Sequence, residues 1–323
     1  MNTNRVLLLP LLIISLDTSA QDAQNADTSK WKIDGYGSAT FNQVSFTNWA
    51  AGGDNSISFA LVGLLNTRYA INRHHWNNTV NLLFGLIRTD EFGLRKNEDK
   101  LEMESKYGFD FNKKRTLALS FLANFRSQFA NGYNYPNDSV VISKLAAPGY
   151  LTLALGIDWK PLDYFSLFIS PATGRILFIR DQNIANVGTY GNEAGVPVLD
   201  SQGNIIGYNP EGEKNRFDFG ALLSAKLNKE VVKNVTIISK LDLFSNYTGE
   251  TSESRMADVN WETAFLFKVN EWLSASLTLS LIYDKEIMIP AKDDPADLDD
   301  RVQFKEALGI GLTCKFDNQK TVK

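Results

Sequence analysis

The sequence holds two histidines, and they are adjacent, His74 and His75. Imidazole is the usual general base near neutral pH and a common metal ligand. Neighbouring residues on an extended strand point to opposite faces, so this pair cannot converge on one ion. In "NRHHW" it sits between two apolar-alternating stretches, where a solvated turn is expected. A serine hydrolase or an Asp–His protease needs its base beside the reacting atoms. A histidine in a turn at one rim is withdrawn from the interior and from the opposite rim. The acidic run "KDDPADLDD" (292–300) offers carboxylates to a hard cation. It lacks the glycine and the spacing of a Ca²⁺ loop and reads as a solvated loop. The expectation is therefore no catalytic residue, no metal site, no cofactor and no enzyme. A net charge of −4 leaves no basic footprint for nucleic acid.

The charged residues are more telling in their spacing. In "KLEMESKYGFDF", Glu102, Glu104, Lys106 and Asp110 alternate with Leu101, Met103, Tyr107, Phe109 and Phe111. A period of two puts one set on each face of a strand. The same alternation recurs down the chain. Apolar stripes include Ile57, Phe59, Leu61 and Leu65, then Val80, Leu82, Phe84 and Leu86, then Leu117, Leu119, Phe121 and Phe125. Later ones are Leu151 to Trp159, Phe217 to Leu227, Val235 to Tyr247, Trp261 to Val269, Leu273 to Tyr283 and Val302 to Phe316. Residues 163–180 are less regular, interrupted by Pro171 and Gly174. With an opening segment near Ile33–Phe46, about twelve strands of roughly ten to sixteen residues are expected, long enough to cross a bilayer when tilted.

The expected fold class is all-β, a transmembrane antiparallel barrel of about twelve strands. A soluble β-sandwich is the alternative. The links favour the barrel, because they alternate. Short ones are "NRHH", "NKKR", "KPLDY", "NKEVVKN" and "NEW". Long ones are 47–55, 88–98, 130–148, 181–214, 248–258 and 285–300. Short periplasmic turns and long external loops are the pattern of outer-membrane barrels, and an even strand count returns both ends to the periplasm. The run "VLLLPLLIISL" after Arg5 reads as a signal peptide over 1–20. A flexible leader over 21–30, the barrel over 31–317 and a tail over 318–323 complete the expected organisation. Localisation in the bacterial outer membrane follows. The lipid bilayer and the outer-membrane assembly machinery are the implied partners. Two charges resist the register: Glu306 falls in the apolar parity of the last strand, and Lys233 in that of the ninth.

Near the start of the barrel, Trp31, Gly35, Gln43 and the run Asn48-Trp49-Ala50-Ala51-Gly52-Gly53-Asp54-Asn55-Ser56 resemble a family of Bacteroidetes outer-membrane proteins catalogued only as a domain of unknown function. The resemblance implies a barrel and carries no activity or site residues. The same run is the candidate external loop motif. Gly52 and Gly53, with Asp54 and Asn55, suit a tight turn. Trp49 suits either the aromatic girdle at the headgroups or stacking on a ligand such as a sugar.

If the register holds, Arg68, Glu102, Glu104, Lys106, Asp110, Arg126, Asp158, Arg216, Asp218, Lys240, Asp242 and Glu262 line the lumen. Lys226, Lys268, Arg301, Lys305 and Lys315 share their parity. Both signs are present, so the charges either pair and seal the lumen or line a narrow wet pore. The leading expectation is a channel or transporter for small polar solutes. The alternative is a structural or accessory barrel of a surface or secretion complex.

Overall fold

The computed structural model describes residues 30–44, 55–135, 138–249, 257–285, 287, 289–290 and 297–318. The expected signal peptide, most of the leader, residues 319–323 of the tail, and Trp49, Gly52, Gly53 and Asp54 lie outside them. Twelve long strands run in chain order. They are β1 (Trp31–Val44), β2 (Ser56–Ile71), β3 (His74–Thr89), β4 (Gly93–Asp110), β5 (Leu117–Ser127) and β6 (Gly149–Leu162). The second half is β7 (Phe165–Phe178), β8 (Asn215–Val232), β9 (Val235–Asn246), β10 (Asp258–Lys268), β11 (Leu273–Tyr283) and β12 (Gln303–Asp317). Each is antiparallel to the next, and β12 closes on β1, so the sheet is a 12-stranded barrel.

The short links are tight. Asn72 (φ 52°) and Asn234 (φ 69°) take the left-handed conformation in the β2–β3 and β8–β9 turns, a region that asparagine tolerates better than most residues. Lys233 lies in the second of these turns, at the rim. The irregularity expected at 163–180 takes the form of a pairing shift against both neighbours near Pro171, within one continuous strand, β7, that runs on through Gly174. A bulge absorbs the extra residue and restores the ladder. The expected long loop 88–98 is corrected: β3 and β4 extend toward one another and leave only 90–92 between them. His74 and His75 open β3 and do not form a turn.

Leu61, Leu82, Met103, Phe121, Leu155 and Ile169 are exposed, and alternation places them all on the outside of the barrel. At the short-turn rim Trp31 packs on Tyr69 and Trp76, with ring centroids 5.0 and 5.8 Å apart. A soluble surface does not carry so continuous an apolar band. A closed barrel, apolar outside and polar inside with an aromatic rim, satisfies every backbone group without exposing an edge to lipid. This chain is such a barrel of the outer membrane. Among the described residues no helix is long and apolar enough to cross a membrane.

Candidate functional site

The inner face identifies itself, because only there do ion pairs join strands that are not neighbours. β4 supplies the common partner. Glu98 meets Lys305 of β12 at 2.8 Å, and Lys100 meets Glu262 of β10 at 2.7 Å. Glu102 meets Lys240 of β9 at 3.0 Å, Glu104 pairs with Lys226 of β8, and Lys106 meets Asp158 of β6 at 3.0 Å. Every second residue of β4 reaches a different strand, in order around the barrel. Barrel strands are tilted, so descending one strand sweeps its inner face past successive strands opposite. The Lys100–Glu262 pair spans the full diameter, since β4 and β10 are six strands apart either way round.

Cross-links among these pairs make a network. Lys100 also lies 3.1 Å from Glu102, and Lys240 lies 3.6 Å from Glu104 and 3.2 Å from Asp242. Ser224 donates to Asp242 at 2.5 Å, and Asn124 donates to Glu102 at 3.0 Å. Glu102 and Glu104, which sequence spacing presents as a like-charge pair, are thus each held between lysines.

The remaining candidates fall at the two ends. Toward the external side, Arg216 meets Asp218 at 3.0 Å and donates to the Gly191 carbonyl at 2.5 Å. Arg126 lies over the Tyr150 ring at 5.1 Å. Toward the short turns, Asp110 faces His75 Nδ1 at 3.3 Å, Asp158 also meets Lys160 at 3.0 Å, and Arg68 pairs with Asp34. Lys268 is in register with Ser274, and Lys315 with Tyr36. Arg301 precedes β12 and pairs with Asp297 at 2.8 Å. The Asn55 side-chain amide donates to the Asp90 carboxylate at 2.7 Å, which ties this end of the loop motif to the β3–β4 turn.

Sequence reasoning missed several members. Lys100 and Glu98 share the parity of Glu102 and were legible from it. Arg175, 2.6 Å from Asp258, sits beyond the β7 bulge, which breaks the parity. His75 points inward beside Asp110, a correction of the solvated-turn expectation. Ser120 lies nearby with 1% exposure, and neither its Oγ nor His75 Nε2 makes a hydrogen bond. Without that bond and without access for a substrate carbonyl, the three do not make a nucleophilic triad. Among the described residues no group of His, Cys, Asp or Glu is arranged to hold a metal ion.

The lumen is asymmetric. On the β5–β9 side, Leu122, Ala154, Phe168, Leu222 and Phe244 form an internal apolar cluster. Between Glu104, Lys106, Phe168 and Lys226 no water-sized space remains. External loops cover the same side. The helix α1 (Gln182–Val187) packs Ile184 and Ala185 against Ala147, Leu177 and Ile179, with Tyr150 and Tyr190 beside them. Asp181 caps this helix by accepting from the Asn183 and Ile184 amides, and it pairs with Lys144. The Lys144 hydrogen bond holds its carboxyl below the usual range. Burial pushes the Tyr190 phenol up to about 12. Under the loops a cavity of about 120 Å³ remains among Arg126, Tyr150, Arg175, Asp258 and Tyr283. On the other side, β11, β12 and β1 turn small residues inward. Ser276, Thr278 and Ser280 face in line with Ala307, Gly309, Ser38 and Thr40, and all of them reach solvent.

The sequence profile of a family described as a protein of unknown function (DUF3078) matches residues 41–133, a stretch that includes β2 to β5. No curated protein matches the chain. Among solved structures, the chain is similar to an outer membrane channel from Pseudomonas putida F1 at 10% identity and a TM-score of 0.39, covering 88% of this chain and 94% of that one. It is similar to the translocator domain of the autotransporter NalP from Neisseria meningitidis at 9% identity and 0.38, covering 91% and 90%. It is also similar to the porin NanC at 7% identity and 0.38, covering 86% and 98%. The assignment to the membrane rests on the barrel's own surface and not on these likenesses.

Proposed function

We propose that this outer-membrane barrel is a narrow channel for small polar solutes, running beside the inner faces of β11, β12, β1 and β2. One observation carries the reading. Ser276, Thr278 and Ser280 of β11, Ala307 and Gly309 of β12, and Ser38 and Thr40 of β1 are small inward residues that reach solvent, whereas Leu122, Ala154, Phe168, Leu222 and Phe244 fill the opposite side. Such a path is polar, slender and flanked by a charged wall on β4, and a fixed charge acts strongly on an ion in a narrow pore. No catalysis is part of the reading. The resemblance to a Bacteroidetes family, which rests on the run around Trp49, belongs to the same proposal.

The test is electrical. In planar bilayers the purified barrel is expected to give discrete conductance steps. Glu102→Gln with Glu104→Gln removes two negative charges at nearly constant volume and leaves Lys100, Lys226 and Lys240 in excess. Under a salt gradient the reversal potential is then expected to move toward anion preference. A barrel that inserts fully and never conducts would overturn the channel. The fan of ion pairs from β4 would then favour the second reading, a sealed structural or accessory barrel of a surface complex. That reading draws on the same pairs, since they tie opposite walls together.

A further inference from the structure

We propose that the cavity beneath the external loops is a binding site for a small zwitterion of the α-amino acid kind, its carboxylate on Arg126 and its ammonium toward Asn260 and Asp242. As a statement about the channel's solute this rests on the reading above; as a statement about binding it does not. The cavity measures about 120 Å³, room for several water-sized groups and so for a solute of amino-acid size. Its walls carry opposite charge. Arg126 of β5 and Arg175 of β7 line one side, and Asp242 of β9, Asp258 of β10 and Asp284, just past β11, line the other. Glu102 of β4 also borders the cavity, but Lys100 and Lys240 already hold it.

Once the internal pairs are assigned, one donor group and one acceptor are left over. Arg175 is engaged by Asp258 at 2.6 Å and rests on the Phe244 ring, 4.3 Å from its centroid. Arg126 is backed in the same way by Tyr150 at 5.1 Å, but among the described residues it makes no ion pair and no hydrogen bond. An aromatic face holds a guanidinium plane and leaves its fork of N–H donors for a carboxylate. The acceptor is Asn260. Its Oδ1 is buried and receives no hydrogen bond, a cost that a ligand N–H in the cavity removes once the side-chain amide turns toward it. Asn260 is in register with Asp242 and lies on the same face as Asp258. A donor that meets it therefore sits beside carboxylates, where a positive charge is favoured over a neutral hydroxyl. An ammonium suits that wall and a carboxylate suits Arg126. A small molecule that carries both is an amino acid.

The test is equilibrium dialysis of labelled L-threonine against the folded barrel in detergent, with folding of each variant confirmed by heat-modifiable gel mobility. Threonine is expected to bind saturably. Two analogues compete with it: 2,3-dihydroxybutyrate, which lacks the ammonium, and 1-amino-2-propanol, which lacks the carboxylate. Each is expected to bind about tenfold more weakly or worse, since each gives up a hydrogen bond to a charged group. Arg126→Met is expected to erase the preference for threonine over 1-amino-2-propanol, and Arg126→Lys to keep part of it. Asn260→Leu is expected to reduce the preference for threonine over 2,3-dihydroxybutyrate. Absence of saturable threonine binding to the unaltered barrel would overturn the site. So would unchanged threonine affinity in folded Arg126→Met, which would place the binding elsewhere. A hydroxy acid that competes as well as threonine would make this a plain anion site and overturn the zwitterion. Conduction separates this proposal from the channel: a barrel that binds threonine and never conducts keeps the site and loses the channel, and one that conducts without binding threonine loses the site alone.

Discussion

A single position shows how the barrel wall sorts side chains. Leu155, in the middle of β6, faces outward opposite Phe121 and is 49% exposed. Thr278 faces inward opposite Ala264 and Ala307. Arginine at a lipid-facing midplane site costs about 2–4 kcal/mol, and far less in a wet lumen. Leu279 is the instructive intermediate, because its neighbour on β12 is Glu306, which would pair with the new guanidinium. Folding free energies in liposomes should therefore fall most for Leu155→Arg, less for Leu279→Arg and least for Thr278→Arg. Equal losses at all three would mean that the two faces had been misassigned. Parity alone predicts the difference between Leu155 and Thr278, and also the inward placement of Lys100. It does not predict which charges meet. Glu102 finds Lys240, 138 residues away, because of strand tilt and strand number, and neither is written in local spacing. Parity likewise loses Arg175 at the β7 bulge, where one inserted residue exchanges the faces.

At the scale of elements, strands and loops were not equally legible. Twelve alternating stretches translate directly into twelve strands, since period two has one structural meaning. The external segment 179–214 has no such period, and its order comes from capping and from contacts with a second loop. α1 is six residues long and could not persist alone. It is held by the Asp181 cap, by Lys144 and by Asn186, whose Oδ1 accepts from the Gly212 amide at 2.7 Å. This makes the loop cover sensitive to acid. The carboxyl of Asp181 titrates below its ordinary value of 3.8 in the folded state. Its contribution is therefore complete above that value and is lost as pH falls through the lower folded value. Hydrogen exchange in 181–192 should quicken at such acid pH while the barrel strands stay protected. Asp181→Ala should produce the same loosening at neutral pH, about 1 kcal/mol in local stability, whereas Asp181→Asn should keep the cap and lose only the Lys144 pair. Unchanged exchange in Asp181→Ala would remove the cap from this account.

For the whole molecule, the division of the lumen into a filled half and a wet half follows from what the strands carry inward. β5 to β8 turn Leu122, Ala154, Phe168 and Leu222 toward the axis, β9 adds Phe244, and the loop cluster around Ile184 covers them from outside. In their middle stretches β11, β12 and β1 turn in Ser276, Thr278, Ser280, Ala307, Gly309, Ser38 and Thr40, which are smaller than the residues of the apolar cluster. The ion pairs on β4 then form a wall between the halves, since leaving any of these charges without its partner in so confined a space is costly. The arrangement predicts a sharp contrast in chemical access. With Cys314→Ser as background, a small cationic methanethiosulfonate should react quickly with Thr278→Cys and with Ser38→Cys. It should react more than about tenfold more slowly with Ala154→Cys, a difference that 1.4 kcal/mol of access barrier is enough to produce. Ala154 is 1% exposed, so its thiol would meet the apolar cluster and not water. Removing the fan's longest member by Lys100→Met should raise access at position 154 only modestly, because the apolar cluster closes that half independently of the charges. If positions 154 and 278 react at the same rate in the unaltered background, the lumen is uniformly wet. The barrel would then be an ordinary open pore and not a slender channel beside a packed wall.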